Sequence, residues 1–395
     1  MNIVLCGVGG YGQTYARELI QNNKNVNWVG AAEPFPERVA DKGDIDAAGV
    51  PWFASLEDFY KSNTADLCVI ASPIAFHAPQ SILALQNGSH VLCEKPAAAL
   101  PSEIAAMAAA RDKSGKFLAI GYQWSYSEAV QKIKQDISEG VYGKPLSLRT
   151  RVLWPRDREY YARGSGWAGN KKDSAGRWVL DSVANNAAAH YLHNMLYISG
   201  GQNRAATPEK LRAVLMRANP VQMYDTAFIS MELSDNIIIS FIATHAGESE
   251  NYIASRFEFE NGVIVYDDRI KRRFTGMLKN GTVIDYGDPA ETSSSCPLWK
   301  LVDSLRGSNT DESEEGFVCP LEAAVPHNRV MIAALLSSEI SAFPEIKDDG
   351  RRFYAPGLDK ICADCCENLS LSDINWAKKG EIVRLDDPKI DLYGG

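Results

Sequence analysis

The chain has 395 residues, 45% of them hydrophobic and 23% charged, with a formal net charge of −9. That length is generous for one domain and comfortable for two, and the acidic balance argues against a nucleic-acid partner. No apolar run approaches the roughly 18–20 residues of a membrane span, and residue 1 leads almost directly into a strand, leaving no room for a signal peptide. A cytoplasmic protein is expected. Of the eight cysteines, Cys6, Cys68 and Cys93 lie in apolar strand-like runs. Cys362-x-x-Cys365-Cys366 has no second ligand pair and reads as helix-packed thiols, so no metal is expected there.

Ile3-Val4-Leu5-Cys6 reads as a strand buried on both faces. Gly7, Gly9 and Gly12 follow at G-x-G-x-x-G spacing within Gly7-Val8-Gly9-Gly10-Tyr11-Gly12, and Ala16, Leu19 and Ile20 then share one helical face. In this order Gly7 permits a tight turn, Gly9 lets a pyrophosphate approach the backbone, and Gly12 lets helix and strand pack closely. The helix start, with Gly10 and Tyr11, offers free N–H groups and a positive dipole end to phosphate. A second strand, 26–32, ends at Glu33, 21 residues after Gly12, near the spacing of a ribose-binding carboxylate. A carboxylate there repels a 2′-phosphate, so NAD is favoured over NADP, although Arg38 stands nearby.

Strand and helix go on alternating. Ser55 caps a helix start, 66–71 is a strand ending at Ser72-Pro73, and helix 78–87 is closed by Gly88. Strand 90–93 runs into Glu94-Lys95-Pro96, and helix 102–113 with strand 117–120 completes a doubly wound parallel sheet. The glycine loop, Ser72-Pro73 and Glu94-Lys95-Pro96 all fall at the carboxyl edge of such a sheet, where ligands bind.

The glycine loop, the acid after the second strand, Ser72-Pro73 followed by His77, and Glu94-Lys95-Pro96 together resemble the Gfo/Idh/MocA oxidoreductase family over the N-terminal domain. The resemblance implies an NAD-binding Rossmann domain (1–122) and a C-terminal substrate-binding and oligomerisation domain (123–395) with a large, mostly antiparallel sheet. It further implies an NAD(P)-dependent dehydrogenase of sugars, polyols or related compounds, and a homodimer or homotetramer. Gly7, Gly9, Gly10, Tyr11, Gly12, Glu33, Ser72, Pro73, His77, Glu94 and Lys95 form the expected cofactor edge.

The second half fits that sheet: 146–153, 211–216, 227–233, 237–243, 253–259 and 263–266 read as strands, with turns at 234–236 and at Asn261-Gly262. The stretch 308–316 reads as an exposed loop, and helices are expected near 321–341 and 356–370.

Oxidising a secondary alcohol needs a base for the hydroxyl proton while hydride leaves the carbinol carbon. Lys95, at a strand end, suits an ammonium that stabilises alkoxide character, and in the resembled family this lysine contacts substrate. The family also has an Asp followed four residues on by the His that accepts the proton. Here Asp181 is followed at that spacing by Asn185, and His190 stands at the family position counted back from Ser199-Gly200, as if about five residues were inserted. Asn186, His190, His193 and Tyr197 would share one face of a continuous helix. His190 is the expected base, Asn186 and His193 contact substrate, and Asp181 orients an imidazole or binds a hydroxyl.

Residues 154–163 and Trp167 are dense in Trp, Tyr and Arg. Trp154 and Arg156 suit a sugar ring and its polar groups, while the same composition suits an oligomer contact. Gln123-Trp124 replaces the family's common Arg-Phe pair, pointing to an unusual substrate. Two other functions stay open: transient sugar oxidation on tightly held NAD, and a nucleotide-binding regulator without chemistry.

Overall fold

Ile3, Val4 and Leu5 have no solvent exposure, nor have the four residues of the strand at 67–70. Such runs are satisfied only in a sheet covered on both faces, where each fully buried Val, Leu or Ile contributes about 1.5–3 kcal/mol. The computed structural model describes residues 1–395 except 23, 164–165, 292–295, 308–317, 373, 375 and 395. It forms this sheet from β1 (Asn2–Cys6), β2 (Asn27–Ala32), β3 (Trp52–Phe53), β4 (Leu67–Ile70), β5 (His90–Cys93) and β6 (Leu118–Ile120). The order is β3-β2-β1-β4-β5-β6, and every pair is parallel. The order reverses between β1 and β4, so the loops after those two strands stand side by side at the switch point.

Two units emerge from the contacts: Met1–Tyr126 with Ser293–Ala324, and Ser127–Thr292 with Val325–Gly395. A single boundary after residue 122 leaves 293–324 in the second part, whereas the described residues of that segment belong to the first unit. Helix Cys296–Gly307 sends Leu298, Trp299, Leu301 and Val302 into one apolar cluster with Ile3, Leu5, Tyr15 and Leu19. Trp299 Nε1 donates to Glu18 at 3.0 Å, and the Ile120 amide donates to the Cys319 carbonyl at 2.9 Å.

The second unit is built on a ten-stranded sheet. Its strands are β7 (Pro145–Leu153), β8 (Lys210–Arg217), β9 (Thr226–Glu232), β10 (Ile238–Thr244), β11 (Tyr252–Phe259), β12 (Gly262–Asp267), β13 (Lys271–Leu278), β14 (Val283–Gly287) and β15 (Ile340–Ala342). They run β14-β13-β12-β11-β7-β10-β9-β8-β15, with Val383–Arg384 added to β8. Only β7–β10 and β8–β15 are parallel, so the sheet is mostly antiparallel, as expected. All six expected strands form. β13 and β14 are additional: β13 buries only Phe274 and Gly276 and carries Lys271, Arg272 and Arg273, so its apolar alternation is faint. The helix expected over 321–341 is Leu321–Ser337, and the chain then extends into β15. Helix Leu358–Asn368 lies where 356–370 was expected; it holds Cys362, Cys365 and Cys366 in an apolar cluster, where burial raises the Cys366 thiol to about 11. The stretch 308–316 lies outside the described residues.

Candidate functional site

In the first unit the glycine spacing has a steric cause. Gly7 has φ +81°, and a Cβ there would lie 2.4 Å from the Ser72 nitrogen; a Cβ on Gly12 would lie 2.0 Å from the Gly7 carbonyl oxygen. Gly9 and Gly10 differ: a Cβ on Gly10 meets nothing within 4 Å, and one on Gly9 meets only the Glu33 carboxyl, at 3.5 Å. The loop is therefore closed at its base and open at its rim, which fits a dinucleotide pyrophosphate laid against helix Gly12–Gln21. Glu33 Oε2 accepts from the amides of Val8 at 3.0 Å and Gly9 at 3.1 Å, so its carboxylate stands at the loop, within reach of a ribose bound there. Tyr11 donates its hydroxyl to Gln123 at 2.9 Å. The Arg38 guanidinium stacks 4.5 Å from the Phe35 ring centroid.

The other strand ends complete this edge. Ser72 Oγ donates to Gln80 at 2.6 Å, and exposed Pro73 precedes the short helical turn Ile74–Phe76. His77 is 1% exposed, with Nδ1 2.7 Å from the Pro96 carbonyl and Nε2 2.8 Å from the Ser72 carbonyl. Both ring nitrogens face backbone carbonyls, and a neutral ring donates to one of the two, so His77 lies wedged between the turn after β4 and the turn after β5 and turns no ring nitrogen to a cofactor. Burial lowers its pKa. Glu94 is likewise held inward: its carboxylate accepts from Tyr15 at 2.6 Å and from the Lys95 amide at 3.2 Å, and burial raises its pKa while Tyr15 opposes the rise. These two groups fix the backbone on either side of Lys95, which is half-buried at the carboxyl end of β5.

In the second unit Asp181 is 3% exposed, and its two oxygens accept from the Gly169 amide at 2.6 Å and Asn186 Nδ2 at 2.8 Å. Leu180 just before it has φ +47°, a conformation costly for leucine, and its carbonyl is held by Asn185 Nδ2 at 3.0 Å. The continuous helical face expected from Asn186 to Tyr197 is interrupted. A π-helical turn, Val183–Ala187, is capped by Ser182 and closed by the Ala188 amide on the Val183 carbonyl at 2.7 Å. A separate helix, Ala189–Ile198, then begins. Single π turns recur at functional sites. Asn186 thus sits on the π turn beside Asp181, while His190 and His193 begin the next helix.

His190 is half-buried and His193 1% exposed. The His193 ring stacks on Tyr197, with centroids 5.6 Å apart, and burial first, then His327, His190 and Lys134, lowers its pKa well below the usual range. His327 Nε2 lies 3.2 Å from the Ala184 carbonyl. Buried Lys134 closes the helix end, donating to the carbonyls of Tyr197, Gly200 and Arg204. It thereby places a positive charge at the helix C-terminus, where the dipole favours one.

The loop after β7 is knitted to this helix. The rings of Trp154 and Tyr191 meet edge-on at 6.1 Å. Arg156 stacks 4.4 Å from the Trp154 centroid and 4.8 Å from Tyr160, and Arg163 lies 3.7 Å from Tyr160. His245, just past β10, is 2% exposed, and its Nδ1 meets the Tyr161 hydroxyl at 2.9 Å. Asp225 beside it is fully hydrogen-bonded to Asn219, Ala218 and Thr226. Sequence reasoning missed His245 and Asp225, which are single polar residues at strand ends; antiparallel pairing of 227–233 with 237–243, which sets the start of one beside the end of the other, is the signal that could have found them.

Among the described residues no group of three or more His, Cys, Asp or Glu is placed to hold a metal ion, and no helix is long and apolar enough to cross a membrane.

Residues 1–122 match the Gfo/Idh/MocA profile, that of an oxidoreductase family with an NAD-binding Rossmann fold. In this N-terminal domain the chain is similar to members of the Gfo/Idh/MocA family. It is 30% identical over 141 residues to 1-carboxy-3-chloro-3,4-dihydroxycyclohexa-1,5-diene dehydrogenase of Comamonas testosteroni, a match covering 35% of each chain. It is 29% identical over 135 residues to D-glucoside 3-dehydrogenase of Escherichia coli (strain K12), covering 34% of this chain and 36% of that one. The matched segments thus span about a third of these curated relatives. Among solved structures, the WlbA dehydrogenase from Bordetella pertussis, in complex with NADH and UDP-GlcNAcA, superposes with a TM-score of 0.68 at 21% identity. That match covers 85% of this chain and 95% of the other, so the likeness of fold extends well past the matched domain.

Proposed function

We propose that the chain is an NAD-dependent oxidoreductase that moves a hydride between a secondary alcohol of a sugar, polyol or glycoside and the nicotinamide. The observation that carries this reading is the glycine loop, closed at its base by Gly7 and Gly12 and open at Gly9 and Gly10, with the Glu33 carboxylate on its amides. Those residues would hold the dinucleotide, Glu33 binding the adenosine ribose hydroxyls and disfavouring a 2′-phosphate. NAD supplies the hydride acceptor when bound. The similarity to a D-glucoside 3-dehydrogenase supports a sugar hydroxyl as the reacting group.

Lys95, its backbone fixed by Glu94 and by the wedged His77, presents an ammonium that stabilises negative charge on the reacting oxygen. His190 takes the hydroxyl proton. Asp181 binds a hydroxyl through the hydrogen-bonded Asp181–Asn186 pair, and His193, held neutral by burial, offers an uncharged ring to substrate. Trp154 and Arg156 contact the sugar ring and its polar substituents. A cytoplasmic location and a homo-oligomeric assembly belong to the same proposal; cell fractionation and light scattering check them.

NADH absorbance against inositols, hexoses, sugar acids and glycosides tests the reading. One compound should reduce NAD, and Lys95→Ala and His190→Ala should each lower kcat by about 10²–10⁴-fold with NAD still bound. Product formed without net NADH, on cofactor that survives purification, would instead show transient oxidation. Bound NAD with no conversion of any compound would favour the regulator.

A further inference from the structure

Arg156 and Arg163 both stack on Tyr160, at 4.8 Å and 3.7 Å, and reach in turn to Trp154 at 4.4 Å and Trp167 at 5.1 Å. Two guanidiniums therefore share one ring, although like charges so placed repel. No carboxylate among the described residues lies within 4 Å of either, in a chain whose net charge is −9. The acids nearby are committed elsewhere. Asp157 caps helix Arg158–Ala162 and pairs with Arg351, Asp181 is bound by Gly169 and Asn186, and Asp225 is saturated by Asn219, Ala218 and Thr226.

The surroundings strengthen any anion bound here. Arg156 is half-buried, and its Nε is fully buried with no hydrogen-bond partner. His245, 2% exposed, has a buried Nε2 that is also unpartnered, while its carbonyl accepts from the Arg156 amide at 3.1 Å. Burial, then Arg156 and Arg163, lowers the His245 pKa well below the usual range, so His245 stays neutral and adds no third charge. A planar fork braced between two aromatic faces is pre-organised for a planar, bidentate anion, and the pairing gains from the poorly hydrated floor.

We propose that Arg156 and Arg163 form a carboxylate subsite, so that the preferred substrate is an acidic sugar, a uronic or aldonic acid, and not a neutral hexose or inositol. This rests on the reading that the second unit receives the sugar, and it adds the substrate's charge.

The test compares hexoses, the matching hexuronates and the matching hexose 6-phosphates on the full chain saturated with NADH, with binding read by calorimetry and turnover by NAD reduction. At least one hexuronate should bind about 10-fold or more tightly than its hexose, and Arg156→Gln should remove that margin. Arg163→Gln, at an exposed position that tolerates replacement, should shrink it, which guards against misfolding of the first variant. Equal binding of acid and neutral sugar, a margin that survives both substitutions, or no binding by any hexuronate overturns the proposal. Preference for the 6-phosphate also overturns it, replacing carboxylate by phosphate. An arginine-dependent margin without turnover upholds the subsite while refuting the dehydrogenase reading.

Discussion

Gly12 and Gly10 stand two positions apart and differ in what a methyl group would meet. At Gly12 it would lie 2.0 Å from the Gly7 carbonyl, and at Gly10 it meets nothing within 4 Å. Gly12→Ala should cost roughly 2–3 kcal/mol in urea unfolding and Gly10→Ala less than about 0.5 kcal/mol. Equal losses would contradict the steric account. A second residue sets a pH dependence. His90 Nδ1 accepts from the Phe117 amide at 3.0 Å, and burial, then Lys116, lowers its pKa to about 4. The folded value lies below the unfolded 6.5, so the unfolded chain takes up this proton first as pH falls. The stability His90 contributes is complete above pH ~6.5 and is lost between there and pH ~4. The melting temperature of His90→Gln should therefore fall less steeply than wild type across that window, as calorimetry at several pH values would show. The glycine loop was legible in the sequence because spacing encodes those steric demands. His77 was legible as a position but not as a wedge, since its partners are main-chain carbonyls that composition does not reveal.

At the scale of elements, helix Ala189–Ile198 depends on Lys134, whose ammonium ties the Tyr197 carbonyl in its last turn to the Gly200 and Arg204 carbonyls beyond it. Lys134→Ala should cost about 2–3 kcal/mol in denaturant unfolding, because it leaves buried carbonyls unsatisfied. It should also raise KM for the substrate by disordering the turn beyond His193. Full stability of the variant would show that the helix needs no such cap. The strands with apolar alternation were readable, whereas β13 and β14 were not, because their exposed faces are charged and their signal is Phe274 and a few smaller residues. The π turn was not legible in the sequence. Sequence periodicity assumes the α-helical repeat, so Asn186 was placed on a face it does not share.

Over the whole molecule, the first unit is closed by a segment that follows the entire run β7–β14, helix Cys296–Gly307, and no local pattern announces that return. If the glycine loop of this unit holds NAD, a ligand present at about 100 times its Kd should stabilise the chain by about 2.7 kcal/mol. NADP at the same concentration should give a smaller rise in melting temperature, and Glu33→Ala should narrow the gap between the two. A larger rise with NADP would contradict the role given to Glu33. The central claim is hydride transfer from a carbinol carbon, and isotope tracing tests it most directly. A sugar acid deuterated at its carbinol positions would be incubated with the full chain and NAD, and the nicotinamide examined by NMR. The account predicts deuterium at C4 of the reduced ring; NAD that binds while its C4 gains no deuterium from any sugar would contradict it.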